Sequence, residues 1–264
     1  TNEPDVDDEV KEPKLTIDKA VEGATAAPKT QPGDSYTYTL TVTNSTFANN
    51  IDSCPSGAGA IVNRGSSIVT NSTFTGNSAS GALCGGAIYN SAVATVTNST
   101  FFANVAPLGD TILNQAGVFN LTATILATNS GGNCFIGPGL IDNGYNLADD
   151  DSCGLYNPTS QSNVTDADLN LDPNGLQNNG GPTQTVALES GSIAIDAIPV
   201  ADCTDQSDPP VQLTTDQRGV LRPQFTACDI GAYEYDTARS LKSAALAAIQ
   251  ALQGGNRRDR LELQ

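Results

Sequence analysis

The sequence predicts an all-β fold, a right-handed parallel β-helix with an extended N-terminal β segment and a C-terminal capping helix. The motif Val-Thr-Asn-Ser-Thr-Phe occurs at 42–47, 69–74 and 96–101, in two steps of 27 residues. A second element, Gly-Ala-Ile-x-Asn, occurs at 59–63 and 86–90, also 27 residues apart. Both elements are short β-branched runs between turn residues, with no helical period, so each reads as a strand.

Degenerate copies extend both elements of the repeat. Leu-Thr-Ala-Thr-Ile-Leu at 121–126 continues the first, and Asp-Thr-Ile-Leu-Asn at 110–114 continues the second. A unit this small cannot bury its own apolar face, so successive units must stack. We expect Val, Ile and Phe to point inward, and Asn to stack or adopt the left-handed conformation at the corners. A β-propeller is the competing architecture, but its blades run to about 40–45 residues.

The composition excludes several classes of function. The chain of 264 residues has a net charge of −17, six Cys, and no His, Met or Trp. Without His there is no Ser-His-Asp triad, no Cys-His pair and no His-ligated metal. The acidic balance argues against nucleic acid as a partner, and no apolar stretch reaches the length of a membrane span. An even number of Cys favours a secreted or cell-surface protein, and a chain without Met predicts removal of a signal peptide or other processing.

The N-terminal part, residues 1–34, is predicted as an acidic tail followed by an extended β segment. Leu-Thr-Ile at 15–17 reads as one strand, and the alternating stretch 35–43 reads as a second. Two strands cannot form a sandwich, so they either cap this chain's β-helix or add to a neighbouring molecule. The candidate assembly residues are Leu15, Ile17, Val21, Tyr36, Tyr38 and Leu40.

The remaining chain divides into a predicted β-helix over 35–236 and a helix with a basic tail over 237–264. The helix is predicted over 237–253, where one apolar face would cover the last coil. Residues 237–264 carry a net positive charge, whereas the preceding residues are acidic. Opposite charges at the two ends suit head-to-tail assembly. The apolar face of the helix consists of Leu241, Ala245, Ala248, Ile249 and Leu252.

The second half of the chain carries an ordered series of motifs. Asn-Asn-Gly-Gly-Pro-Thr-Gln-Thr stands at 178–185, Ala-Ile-Asp-Ala at 194–197, Thr-Asp-Gln-Arg-Gly at 215–219 and Cys-Asp-Ile-Gly-Ala-Tyr-Glu at 228–234. This series resembles the closing segment of the choice-of-anchor Q domain. The resemblance implies a surface or secreted β-helix and no known reaction.

Two further resemblances concern the first half. Phe-x-x-Asn at 47–50, 74–77 and 101–104, paired with Gly-Gly-Ala-Ile at 85–88, resembles the repeats of polymorphic outer-membrane-protein passengers, which are secreted β-helices. The stretch from Leu-Thr-Ile to the strand ending near residue 43 is similar to the opening of an Ig-like repeat of bacterial surface proteins. That similarity ends where the β-helix repeat begins.

The six Cys are expected to form three disulfides. Cys54 and Cys84 lie 30 residues apart, in equivalent loops of neighbouring repeats. Adjacent coils are about 4.8 Å apart, which a disulfide tolerates. The other pairs close local loops and match the spacing of the choice-of-anchor Q domain, although six Cys allow about 15 connectivities. These pairs are Cys134 with Cys153 and Cys203 with Cys228.

Alternating acidic residues suggest calcium as the one candidate cofactor. Asp166, Asp168, Asn170 and Asp172 would form an oxygen-rich face on a strand, and oxygen ligands suit calcium. The EF-hand pattern fails, because Leu171 stands where that loop requires Gly. Turn formation is the alternative explanation for these Asp residues.

Five Asn residues fit the N-glycosylation pattern Asn-x-Ser/Thr. Three of them stand at the same place in successive repeats, so the repeat alone explains their spacing. We therefore expect a structural Asn ladder in preference to glycans. The five are Asn44, Asn71, Asn98, Asn120 and Asn163.

A cluster of Asp216, Arg218, Arg222 and Asp229 could act as the acid–base set of a polysaccharide lyase. The structural interpretation is Arg–carboxylate pairing that locks the last coil. Arg64 is the only base within the repeats, which leaves little to bind an acidic polysaccharide. The sequence therefore favours a protein that is not an enzyme.

The predicted function is a secreted, non-catalytic structural subunit of an extracellular filament or cell-surface layer. A β-helix has unpaired strand edges at both ends, so we expect copies of this chain to assemble head to tail through β-strand addition. The alternatives are a monomeric surface adhesin or carbohydrate-binding β-helix that recognises surface glycans and, less favoured, a polysaccharide-degrading enzyme.

Overall fold

The computed structural model confirms the parallel β-helix. A short strand, β1 (Thr16–Asp18), precedes the first coil in the chain. The described residues are 16–18, 39–53, 55–127, 131–137, 139–236, 238, 239, 241 and 245.

The first two coils have five strands each. The strands of the first coil are β2 (Thr39–Thr43), β3 (Thr46–Ala48), β4 (Ile51–Asp52), β5 (Ser56–Ala58) and β6 (Ile61–Asn63). The strands of the second coil are β7 (Ser66–Thr70), β8 (Thr73–Thr75), β9 (Ser78–Ala79), β10 (Leu83–Gly85) and β11 (Ile88–Asn90).

The later coils have fewer strands. The third consists of β12 (Val93–Thr97), β13 (Thr100–Phe102) and β14 (Ile112–Asn114). The fourth consists of β15 (Val118–Thr122), β16 (Ile125–Ala127) and β17 (Cys134–Ile136). The stack ends with β18 (Leu140–Asp142) and β19 (Leu147–Ala148).

Equivalent strands of successive coils pair in parallel to form three long sheets. The first sheet has the order β1-β2-β7-β12-β15-β18, in which β1 alone is antiparallel to its neighbour. The second has the order β3-β8-β13-β16-β19, and the third has the order β6-β11-β14-β17. In the first sheet Val42 pairs with Val69, and Val69 with Val96, so the spatial register reproduces the sequence repeat.

Apolar ladders fill the interior. The ring of Phe74 lies between those of Phe47 and Phe101, with centroid distances of 4.8 and 4.7 Å. Aromatic pairs usually prefer offset or tilted geometry, but the strand spacing holds these rings nearly parallel. The ladders, one in each long sheet, are Val42–Val69–Val96–Leu121, Phe47–Phe74–Phe101–Leu126 and Ile61–Ile88–Ile112–Cys134.

Two ladders of Asn amides hydrogen-bond successive coils to one another at their corners. Asn50 donates from Nδ2 to Oδ1 of Asn77 at 2.8 Å, and Asn77 donates to Oδ1 of Asn104 at 2.9 Å. The second ladder joins Asn63, Asn90 and Asn114 at 2.6 and 2.7 Å. Each interior amide thus bonds to the coil above and the coil below, as a stacked Asn requires.

The repeated Asn residues of the glycosylation pattern have a different structural role. Asn44, Asn71 and Asn98 take left-handed backbone angles, with φ of 52°, 48° and 45°, at the turns that enter the second sheet. Asn tolerates this conformation better than most residues do. Their repeat position is therefore structural, but the prediction of an Asn ladder at these residues is wrong, because the amide ladders lie at other corners.

A buried carboxylate completes the last coil. Asp142 pairs with Leu121 in register, at the end of the valine ladder. Its carboxylate accepts hydrogen bonds from the backbone N–H groups of Gly144, Tyr156 and Asn157 and from the side chains of Asn146 and Ser160. These five bonds compensate the cost of burying the charge and attach the loop after β19 to the end of the stack.

After β19 the parallel stack adds one isolated bridge, between Leu147 and Gln161. The residues after this bridge do not continue the coils. They contain a short helix, α1 (Asp166–Leu169), an antiparallel pair of strands, β20 (Leu171–Gln177) and β21 (Thr185–Leu188), and a 3₁₀ turn (Val200–Asp202). The parallel stack thus reaches residue 161 of the segment 35–236 that the sequence predicts as β-helix.

The predicted capping helix is described at four positions only. Ala238, Arg239, Leu241 and Ala245 are helical, and the rest of 237–253 lies outside the described residues. Leu241 is 71% exposed, so coverage of the last coil stays a prediction. In the part of the chain that the structure describes, no helix combines the length and the apolar character needed to cross a bilayer.

The ladder of Asn50, Asn77 and Asn104 predicts that a substitution in its middle destabilises the fold more than one at its end. Asn77→Ala should lower the free energy of unfolding by about 2–4 kcal/mol, because it leaves buried partners on both neighbouring coils unpaired. Asn50→Ala, at the exposed end of the same ladder, should cost about 0.5–1 kcal/mol. Equilibrium unfolding in urea measures both values, and equal costs would contradict the ladder.

Candidate functional site

A row of threonines on the outer face of the second sheet receives the returning C-terminal segment, residues 178–236. Thr46, Thr73 and Thr100 pair in register, one per coil. Because side chains alternate along a strand, each Thr points outward where the next residue, Phe, points inward. Thr46 donates to the carbonyl of Gln184 at 2.5 Å, and Thr100 accepts the N–H of Ala232 at 3.0 Å. The segment therefore runs along the stack from the first coil, at Gln184, to the third coil, at Ala232.

Gln217 connects this segment to two coils at once. Its Oε1 accepts a hydrogen bond from Thr73 at 2.6 Å, and its Nε2 donates to Thr46 at 2.8 Å and to Thr183 at 2.9 Å. The residue is almost completely buried. A buried amide with all these partners fixes the position of the segment, because any displacement would leave it unpaired.

Glycine permits the closest approach of the segment to the coils. Gly231 has φ of +95°, and a Cβ there would lie 2.8 Å from Oγ1 of Thr100 and 2.9 Å from Cδ1 of Ile125. Its N–H donates to the carbonyl of Ala123 at 2.9 Å. The Gly of the motif Asp-Ile-Gly-Ala is thus explained by sterics and by backbone conformation.

The first buried ion pair of the segment is centred on Arg218. Its guanidinium lies 2.8 Å from Asp216 and 3.1 Å from Asp236. It also lies 3.6 Å from the ring centroid of Tyr233, which is a cation–π distance. Burial raises the pKa of Tyr233 to about 12. Charge pairing and ring stacking together hold the planar Arg head group.

The second buried ion pair joins Arg222 to Glu234 at 3.1 Å. Arg222 also donates to the backbone carbonyls of Asp229 and Gly231, at 2.7 and 2.6 Å. The carboxylate of Asp229 instead accepts the N–H groups of Asp196 and Tyr235. Burial, followed by repulsion from Glu234, raises the pKa of Asp229 to about 7. Burial also raises the pKa of Glu234.

The four residues of the predicted acid–base cluster therefore lie in the interior. The side chains of Asp216, Arg218 and Arg222 are at most 2% exposed, and Asp229 is buried beside them. Their groups bind one another, Glu234 and backbone atoms of the closing motif. This is the geometry of Arg–carboxylate pairing that locks a fold, and it does not line a groove. Glu234, which completes the set, was missed at the sequence level.

The predicted calcium residues do not share a strand face. Asp166 and Asp168 lie in α1, where Thr165 caps the helix by accepting the N–H of Asp168. Asp172 lies on β20 and pairs with Arg239 at 2.8 Å. Burial would raise the pKa of Asp172, but hydrogen bonds from Arg239 and from Asn174 lower it overall. Within the described ranges no group of three or more Cys, Asp or Glu is arranged to hold a metal.

The candidate assembly residues are described in part. Ile17 lies on β1 and pairs in register with Leu40 of β2. Leu40 is half-buried and packs against the core. Leu15, Val21, Tyr36 and Tyr38 lie outside the described residues.

Two of the three predicted disulfides are confirmed. Cys134 bonds to Cys153, which attaches the loop after β19 to β17, and Cys203 bonds to Cys228. Cys84 is buried on β10, where it pairs in register with Gly57. Cys54 lies outside the described residues, so its predicted bond to Cys84 stays a prediction.

The five candidate glycosylation sites differ in exposure. Asn71 and Asn98 are buried, and Asn71 donates to the carbonyl of Thr215 at 2.9 Å. Asn44 and Asn120 are half-buried, whereas Asn163 is exposed. The corner residues of the second and third coils are thus enclosed by protein, and a glycan would be accommodated most readily at Asn163.

A polar cleft that sequence reasoning missed lies between the last coils and the segment 201–210. It has a volume of about 450 Å³. Tyr145 donates from its hydroxyl to Asp202 at 2.6 Å across the cleft. This hydrogen bond, then burial and the charge of Asp202, raises the pKa of Tyr145 to about 12. The lining residues are Thr122, Asn143, Tyr145, Asn157, Thr159, Ala201, Asp202, Thr204, Gln206 and Pro210.

Comparisons with known proteins identify no relative of this chain. No protein-family profile, no curated protein and no solved structure matches the chain.

The buried carboxylate of Asp229 predicts a particular dependence of stability on pH. Its folded pKa of about 7 lies above its ordinary value of 3.8, so its neutral form stabilises the fold. That contribution is complete below about pH 4 and is lost as the pH rises through about 7. Between pH 5 and 8 the free energy of unfolding should therefore fall by about 1–3 kcal/mol less in Asp229→Asn than in the wild type.

Urea unfolding at several pH values measures this slope, and Asp205→Asn is the matched control. Burial alone would raise the pKa of Asp205, but hydrogen bonds from Val211 and Ser207 lower it overall. Its contribution therefore changes only in acid, below the tested range. Parallel pH profiles for the wild type and Asp229→Asn would contradict the assignment.

Proposed function

We propose that the protein is a secreted, non-catalytic structural subunit of an extracellular filament or cell-surface layer, in which copies join head to tail by β-strand addition. One observation carries the proposal: β1 adds antiparallel to the edge strand β2 of an otherwise parallel sheet. The edge at β2 thus accepts an added strand with the sequence of residues 16–18. The same strand from another copy would find the same backbone partners.

The chain between the two strands is long enough for such an exchange. A hairpin needs a loop of about 2–5 residues, but about 20 residues separate Asp18 from Thr39. The entropy of closing a loop changes only slowly with its length, so pairing within a chain has a modest advantage over pairing between chains. Each copy donates one strand and accepts one, and such a heterologous contact repeats into an open chain.

The first coil offers further edges for contact. β3, β4 and β6 stand at the ends of their sheets, and no described strand pairs with their outer sides. Ile51 on β4 is 81% exposed at this end of the stack. Unpaired edges and exposed apolar side chains are the usual sites of strand-to-strand association.

Secretion and family membership belong to the same proposal. The disulfides Cys134–Cys153 and Cys203–Cys228 favour an oxidising compartment, as in extracellular proteins. We also propose kinship with the choice-of-anchor Q domain, based on the motif residues of 178–234. The residues that could have formed an acid–base set are buried, and Asp216, Arg218 and Arg222 are held in ion pairs, which favours a structural role over catalysis.

Cross-linking between chains tests strand donation directly. Thr16 and Thr41 oppose each other in register. When Thr16→Cys chains and Thr41→Cys chains are co-expressed, we expect a two-chain disulfide band on a non-reducing gel. Negative-stain electron microscopy of the wild type should show filaments, and a chain lacking residues 1–34 should not form them.

The matched control replaces Thr41 by Thr95, which lies on β12 and is separated from β1 by two strands of the sheet. Thr16→Cys with Thr95→Cys should give no two-chain band. Monodisperse single-chain particles, together with a Thr16→Cys/Thr41→Cys chain that closes only on itself, would overturn the proposal and leave β1 as an internal cap.

A further inference from the structure

The polar cleft around Tyr145 has the size of a ligand site. Its volume of about 450 Å³ falls in the range of about 300–1,000 Å³ that small-molecule sites occupy. One wall comes from the last coils, through Asn143 and Tyr145, and the other from the segment that contains Asp202 and Gln206. A site at the junction of two structural units is a common location for binding.

The lining chemistry suits sugar hydroxyls. The amides of Asn143, Asn157 and Gln206 and the carboxylate of Asp202 offer both donors and acceptors. The ring of Tyr145 supplies an apolar surface against which the C–H face of a pyranose can pack. Among the described residues no Lys or Arg lines the cleft, and the whole chain carries a net charge of −17. An anionic saccharide would therefore be repelled, whereas a neutral one would not.

The polar groups of the cleft are held in place by the protein itself. Thr159 accepts the N–H of Tyr145 at 2.9 Å and donates to Asn157 at 2.9 Å. On the opposite wall, the Cys203–Cys228 disulfide anchors the chain next to Asp202. Preorganised groups bind a ligand with little loss of conformational entropy.

A second groove extends the proposed binding site beyond the cleft. It has a volume of about 300 Å³, and Gln206 lines both spaces. Its floor is the outer face of the first sheet, with hydroxyls from Thr41, Thr43 and Thr95. Thr41 and Thr95 face the groove from coils two strands apart, with Ile68 between them, so about twice the strand spacing of about 4.8 Å separates the two positions. A chain of several sugars could thus extend from the cleft across the coils.

We propose that the cleft and this groove bind a neutral oligosaccharide. The inference does not depend on strand donation, because the site lies within one chain. The carboxylate of Asp205 favours binding over cleavage. A glycosidase needs a carboxylic acid with a raised pKa, whereas hydrogen bonds from Val211 and Ser207, despite burial, lower the pKa of Asp205.

Isothermal titration calorimetry of the full oxidised chain tests the proposal. The probes are the neutral hexasaccharides of cellulose, xylan, mannan, chitin, laminarin and starch, with trigalacturonate as the anionic comparison. We expect at least one neutral probe to bind with a Kd below about 1 mM and trigalacturonate to bind more weakly. No binding of any neutral probe, or tighter binding of trigalacturonate, would overturn the proposal.

Matched variants locate the binding. Asn143→Ala and Asp202→Asn should each raise the Kd of the tightest-binding probe by about tenfold. Asn178→Ala removes an exposed amide that does not line the cleft, and it should leave the Kd unchanged. Thermal unfolding of each variant confirms that the fold persists. Equal affinity in the wild type and both cleft variants would refute the site.

Discussion

The in-register stacking of successive coils is the constraint on which the rest of the structure depends. Backbone pairing fixes equivalent residues about 4.8 Å apart, so a side chain that fits one coil must also fit its own copy above and below. Phe74 between two other Phe rings and Asn77 between two other Asn amides are direct consequences. The register is spatial and does not require equal loop lengths. Asn90 still bonds to Asn114 at 2.7 Å, although only 24 residues separate them.

The same stacking creates the surface that the rest of the chain uses. Alternation along the second sheet places Phe inside and a threonine row outside, and the closing segment binds that row through Gln217 and Ala232. The buried Arg218 and Arg222 then neutralise the carboxylates that the segment brings into the interior. The added strand β1 lies at the edge of the first sheet, whereas the threonine row lies on the second. The closing segment also forms one wall of the cleft through Asp202 and Gln206.

The sequence was sufficient to predict what the repeat controls. The coils, the inward Phe and the left-handed Asn corners follow from a fixed period of β-branched runs. The disulfides Cys134–Cys153 and Cys203–Cys228 agreed with short loops and with a family resemblance. The helix at Asp166 had a detectable signal, because Thr165 and Asp168 have the spacing of an N-terminal capping pair. The alternating Asp pattern suggested a strand instead.

The cleft could not be predicted in the same way. Tyr145 and Asp202 come from parts of the chain 57 residues apart, and their contact depends on how the closing segment returns over the coils. No periodicity in the sequence indicates how the closing segment returns over the coils. The extent of the coils was also hidden, because Asp142 ends the valine ladder with a buried carboxylate whose five partners include the distant residues Tyr156, Asn157 and Ser160.

Native-state hydrogen exchange tests most directly whether the coils and the closing segment form one cooperative unit. Because Gln217 and Ala232 bond to threonines of the coils, we expect their backbone amides and those of β8 to exchange with the same free energy, that of global unfolding. Exchange of Gln217 and Ala232 at a free energy several kcal/mol lower, with β8 still protected, would contradict the account.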